Sequence, residues 1–153
     1  MVEVRALALS PMDRLAGVAP LAARVIVGII MAAHGFQKLA MGPGAFGQGL
    51  AQMGVPAPTL MGYVVTFVEL VGGILLIVGL FSRLSALLLT INLTVAILLV
   101  KVNVGLIAPP EMGAGAELDL ALIAGFLTML FAGPGILSLD RALGLDKGAE
   151  RTA

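Results

Sequence analysis

The stretch RVIVGIIMAAHGFQKL, residues 24–39, is an apolar helix that nonetheless carries Arg24, His34 and Lys38, and this combination constrains the chain more than any other feature. At about 1.5 Å rise per residue, a span centred near Ile29 puts Arg24 and His34 roughly 7 Å on either side of a bilayer midplane, with Lys38 near the far interface. His34 and Lys38 lie one helical turn apart and share a face. Arg24 falls within roughly 40° of that face at about 100° per residue. A basic stripe in a lipid span needs an acidic or water-filled counterpart.

Composition assigns the class. With 59% hydrophobic and 12% charged residues and a mean hydropathy of +1.09, the chain holds more apolar surface than a soluble domain of its size can bury. The expected fold is an all-α integral membrane four-helix bundle with short interfacial helices, a single domain over residues 1–153. The net charge is zero and there is no basic block, so no nucleic-acid partner is expected. The chain has no cysteine and one histidine. Thiolate metal sites, iron–sulfur clusters and bis-histidine haem are therefore not expected, nor is any other metal centre.

Residues 1–17 are too charged for the apolar core of a signal peptide. Ser10, Pro11 and Asp13 read as the start of a short interfacial helix, with a frayed tail as the alternative for residues 1–9. The first span is placed at 18–40, where Gly28 and Ala32 form a small-xxx-small pair that allows close helix approach. The Gly- and Pro-rich segment 41–58 must break the helix. Phe46, Leu50 and Met53 recur within it at helical spacing, which predicts a short amphipathic helix or a partly re-entrant loop, against a plain surface loop.

The second span, 59–80, holds one ionisable group, Glu69, near its centre. A carboxylate there costs on the order of 2.5 to 3.5 kcal/mol unless it is neutral or paired. Gly72 and Gly73, following Gly62 and Thr66, leave a thin helix surface beside it. Arg83 marks the water boundary before the third span, 84–104, where Asn92 sits at the depth of Glu69. Asn92 can bond Glu69 or serve as helix glue. The fourth span, 116–132, is marginal in length and opens with Glu117 and Asp119. These two carboxylates suit a helix N-terminus, but they also share a layer with Lys38 and Lys101, which predicts a mixed ion-pair network. Beyond it, Ser138 can cap a short helix with Leu139, Ala142 and Leu143 on the membrane and Asp140 and Arg141 facing water.

Arg5, Arg14, Arg83, Arg141, Lys147 and Arg151 gather on one side of such a bundle, and Lys38 and Lys101 on the other. The positive-inside rule then puts both termini in the cytoplasm and the protein in the cell membrane.

HGFQKL in the first span, GVPAP before the second, the central Glu69, the block GGILLIVGLFSRLSALLL and the closing ELDLALI…GPGILSLD together resemble the DoxX family of small four-helix membrane proteins, over roughly residues 20–143. The resemblance marks Arg24, His34, Gly35, Lys38, Glu69, Arg83, Glu117 and the GPG-x-x-SLD ending. Ile136 departs from the basic residue that often follows GPG in that family. Related members are linked to the membrane subunit of thiosulfate:quinone oxidoreductase. The function this implies is that of a membrane subunit of a quinone-linked oxidoreductase. Glu69 and His34 are then the candidate catalytic residues, and Arg24, Lys38, Asn92, Lys101, Glu117 and Asp119 the candidate substrate-binding residues. A quinone site needs an apolar slot with proton donors and acceptors near the two ring oxygens, which His34, Glu69, Lys38 and Asn92 can supply. The implied partners are membrane lipid, a soluble oxidoreductase that delivers electrons, and a second copy of the chain in a homo-oligomer. Two other readings stand beside this one: a scaffold or assembly partner whose buried charges order the bundle, and a small-solute or proton transporter, for which four short spans leave little room.

Overall fold

The computed structural model describes residues 17–109, 111 and 113–146, and these fold into helices joined by short connections. The charged N-terminal segment with Ser10, Pro11 and Asp13, and the residues Arg5, Arg14, Lys147 and Arg151, lie outside the described residues. Six α-helices follow in order: α1 Ala19–Met41, α2 Pro43–Gln52, α3 Pro58–Val78, α4 Ser82–Leu99, α5 Ala116–Ala132 and α6 Leu139–Ala142. A 3₁₀ turn, Lys101–Asn103, follows α4. Prolines stand in the first turns of α1, α2 and α3, where the missing N–H costs no intrahelical bond.

Three of these helices, α1, α3 and α4, are long and apolar enough to cross a membrane. With 17 residues, α5 reaches about 25 Å at 1.5 Å per residue and completes the bundle by packing against α4 and α1. Neighbouring long helices run antiparallel. On α1 and α3, Gly28 meets Ile77 while Gly35 meets Leu70. Between α4 and α5, Arg83 reaches Leu130 while Lys101 reaches Asp119.

The α1–α3 seam depends on small residues. A Cβ on Gly35 would stand 2.6 Å from the Leu70 Cα, and one on Gly73 would stand 2.8 Å from the Gly28 carbonyl oxygen. Neither contact is sterically allowed, so the two backbones approach as closely as they do because no side chain intervenes. The small pair Gly28 and Ala32 faces Gly73 in this seam, while Gly72 packs on Leu89 of α4. The interior is completed by Val27, Met31, Leu76, Leu93, Leu122, Phe126 and Met129. Large apolar side chains such as Ile26, Ile29, Phe36, Phe67, Ile74, Leu84 and Leu98 point outward. An apolar exterior of this extent matches a lipid solvent.

The segment after α1 forms a real helix. In α2, Leu50 is buried. The helix is seated on α3 at two glycines: a Cβ on Gly47 would meet the Pro58 carbonyl oxygen, and one on Gly62 would meet the backbone of Pro43 and Gly47.

At the other end of the bundle the chain turns back through Gly133–Leu137 into α6. Ser138 accepts from the Arg141 amide at 3.3 Å, as a cap should. Asp140 departs from expectation. It is buried, with its two carboxylate oxygens accepting from the Phe81 and Ser82 amides at 2.6 and 2.8 Å. The α4 N-terminus carries unsatisfied amides and partial positive charge, and this remote carboxylate supplies what a local cap does not. Leu139 and Leu143 are exposed, as the sequence predicts.

Candidate functional site

In the half of the bundle nearer α2 the helices separate around a cavity of about 630 Å³. Its polar lining consists of His34 and Lys38 from α1, Glu69 from α3, Asn92 from α4, Lys101 from the 3₁₀ turn and Asp119 from α5. The remaining wall is apolar, including Met31, Val65, Val68, Leu93, Leu118 and Leu122. Phe46, Leu50, Met53 and Val55 close the side toward α2.

Glu69 is at the centre of the polar group. Its Oε2 contacts the Lys38 ammonium at 2.5 Å, and its Oε1 accepts from the Asn92 amide at 3.3 Å. One carboxylate thus joins three helices. Arg24 and His34, which the sequence places on either side of the depth of Glu69, are not the cations it meets. The close approach of Gly35 to Leu70 sets the offset of α1 along α3, so Lys38, one turn beyond Gly35, bends in over Glu69, one residue before Leu70. His34 lines the same cavity and makes no hydrogen bond among the described residues.

Arg24 is buried at the opposite end. Its Nη2 donates to the Leu137 carbonyl at 3.0 Å, and its guanidinium lies against Gly79, where any Cβ would overlap it. Gly79 ends α3 at φ 72°, a conformation open to glycine at little cost. Arg24, expected among the substrate-binding residues, is therefore separate from the cavity that Glu69 and His34 line. Helical phase alone, which puts Arg24 near the Lys38 face, carries no information on how far along the bundle each side chain finds its partner.

The far-side layer divides in two. Lys101 pairs with Asp119 at 2.9 Å and also donates to the Ala114 and Gly115 carbonyls at 3.1 and 2.9 Å. Lys38 leaves that layer for Glu69. Glu117 is exposed, and its carboxylate accepts from the Gly115 amide at 3.2 Å, so it caps α5 and does not line the cavity. One neighbour the sequence reading did not assign to the site is Phe46, whose ring centroid stands 5.3 Å from the Lys38 nitrogen. Its signal was the helical spacing of Phe46 and Leu50, which indicates a buried face but does not say what that face covers. A cation over an aromatic face gains electrostatically where water is scarce.

The DoxX family model matches residues 19–102, more than half of the chain. The chain belongs to the DoxX family. Among relatives of this DoxX-family protein, an uncharacterized membrane protein of Mycobacterium tuberculosis is 34% identical over 131 residues, covering 78% of each chain. A Bacillus subtilis protein named "Putative oxidoreductase CatD" is 35% identical over 117 residues, covering 76% of this chain and 81% of its own. An Escherichia coli protein named inner membrane protein YphA is 30% identical over 125 residues, covering 79% and 87%. No solved structure matches this chain. This DoxX-family chain is a membrane protein in contact with lipid.

Proposed function

We propose that the cavity binds a quinone ring and that the protein is the membrane subunit of a quinone-linked oxidoreductase. The observation that carries this reading is the convergence of an ammonium, a carboxylate, a carboxamide and an imidazole on one apolar cavity of about 630 Å³, a size within the usual ligand-site range. Lys38 and Asn92 are donors suited to ring oxygens. Glu69 is placed to hold a proton, and His34, without a hydrogen bond among the described residues, is placed to exchange one. A bound quinone supplies the two-electron chemistry. With no cysteine and one histidine in the chain, the electron donor is assigned to a partner, a soluble oxidoreductase. The printed name of the Bacillus subtilis relative supports an oxidoreductase role.

The same reading orients the protein with both termini in the cytoplasm. Arg83 and Arg141 lie at the Arg24 end, while Lys38 and Lys101 at the other end are turned inward against carboxylates. This matches the positive-inside rule. A reporter fused after Ala153 should be active only on the cytoplasmic side, and activity outside would reverse the assignment.

Mass spectrometry of lipid-soluble compounds retained by the purified protein is the direct test of the site, with a quinone as the expected finding. Glu69→Gln keeps size and hydrogen bonding and removes the charge. A folded variant that no longer supports quinone reduction with its partner is the expected result, and wild-type turnover would remove Glu69 from the chemistry. The Glu69 contacts also tie α1, α3 and α4 together, which favours bundle ordering as the second reading. Failure of the variant to accumulate would move the balance there.

A further inference from the structure

The cavity has a side that opens onto lipid. Leu88, Ile91, Val95 and Leu99 of α4 and Val64 of α3 line it, yet they are also exposed on the surface of the molecule, by 45%, 50%, 42%, 41% and 42%. Helix phase shows where they point. The interior stripe of α4 is Ser82, Ala86, Leu89 and Leu93. At about 100° per residue, Val95 and Ile91 lie roughly 120° and 160° around α4 from Leu89, and Val64 lies roughly 140° around α3 from Glu69. Side chains at those angles face outward. A cavity they share with Glu69 and Leu93 must therefore run from the middle of the bundle to its lipid surface, in the groove between α3 and α4.

Toward α2 the cavity is bordered by Phe46, Leu50, Val55 and Met53, of which Met53 at the rim is 49% exposed, and α2 is held on α3 by the glycine contacts at Gly47 and Gly62. On the α5 side stands the Lys101–Asp119 pair. The groove itself is walled by valine, leucine and isoleucine, which would cost nothing to leave facing hydrocarbon and would hold a hydrocarbon chain as readily as lipid does.

We infer that the ligand reaches the Glu69 site sideways from the bilayer through the α3–α4 groove, and that its hydrocarbon tail stays in that groove while its polar ring meets Lys38, Glu69 and Asn92. This rests on the quinone reading and adds to it a route, a tail-binding surface and the residues that select for a tail. Affinity for a tailed quinone then depends on the valines and leucines at the groove, whereas affinity for the ring alone does not.

The chain has no tryptophan, so Val95→Trp both obstructs the groove and installs a single fluorophore there that quinones quench. Val71→Trp is the matched control, since Val71 is exposed on α3 and outside the cavity wall. Leu99→Trp is a second obstruction nearer the helix end, should Val95→Trp not accumulate. The full-length protein in nanodiscs is titrated with a tail-less benzoquinone and with the same ring carrying an isoprenoid tail. Overpacking of the groove should weaken the tailed probe by about tenfold or more in Val95→Trp and Leu99→Trp relative to Val71→Trp, with the tail-less probe changed by less than about twofold. Equal weakening of both probes, or of neither, overturns the lateral route while leaving the ring site standing. A wild-type protein that binds neither probe overturns the quinone reading itself and the route with it.

Discussion

The two ends of the bundle bury charge in opposite ways. At the Arg24 end, the guanidinium donates through Nη2 to the Leu137 carbonyl, with Nε and Nη1 buried and without a hydrogen bond among the described residues, and Asp140 accepts from the Phe81 and Ser82 amides, so the bonds these side chains do make go to backbone groups of the turns that close the fold. At the Glu69 end the charges meet one another, Lys38 with Glu69 and Lys101 with Asp119, Lys101 donating to two carbonyls as well, and all four face a cavity. A charge bonded to backbone stabilises one chain path, because moving it leaves an amide or carbonyl bare in a medium that cannot hydrate it. A charge that faces a cavity has open space beside it where a ligand can bond, whereas the spare Arg24 donors are enclosed by protein. The difference separates architecture from site without reference to any relative.

The sharpest break of this comparison is Asp140→Ala. It removes the acceptors of two amides at the α4 N-terminus and takes the acid away from near Arg24; at about 1–3 kcal/mol for each group left bare, a loss of about 3–5 kcal/mol is expected, seen as failed accumulation or a collapsed melting transition in detergent. Melting like wild type would mean that the α6 end does not close the bundle. Glu69→Gln comes next. The pair it disrupts borders the cavity, with the Lys38 side chain 16% exposed, and exchanging a charged for a neutral hydrogen bond should cost about 1–2 kcal/mol. Quinone retention should fall far more than stability does. If its melting loss equals that of Asp140→Ala, the two ends are energetically alike and the distinction fails.

Asn92→Leu should be milder, about 0.6 kcal/mol on the scale of single side-chain hydrogen bonds in membrane bundles, with a partial loss of retained quinone. An unchanged quinone content would make Asn92 helix glue only. The smallest effect is expected for Arg83→Gln. Arg83 is 42% exposed and pairs with Asp146 at 2.7 Å, so a change below about 1 kcal/mol is expected. Added salt should narrow the gap from wild type, and a gap insensitive to salt would shift the weight to the Arg83 bonds with the Leu130 and Phe131 carbonyls.

Much of this arrangement is legible in the chain, because lipid punishes polarity in a way that reads directly from residue type. The apolar runs, the Gly and Pro breaks, the amphipathic spacing of Phe46 and Leu50, the small pair Gly28 and Ala32, and the need of Glu69 for a partner are all local statements, and each has its counterpart in the fold. Asn92 at the depth of Glu69 is a statement about position along two antiparallel spans, and it holds for the same reason.

Partner choice lies beyond local reading. The sequence by itself determined that the chain is a membrane helix bundle with an acid at mid-span and cations to meet it, since an unpaired charge in hydrocarbon carries a free-energy penalty that residue type alone reveals. Only the tertiary structure decided that Lys38 meets Glu69, that Arg24 is retained at the far end by Leu137, that Glu117 caps its own helix and that Asp140 points inward. These outcomes follow from how far one helix slides along another. That offset is set by contacts such as Gly35 on Leu70, where two backbones far apart in sequence touch, and no periodicity within either helix encodes it.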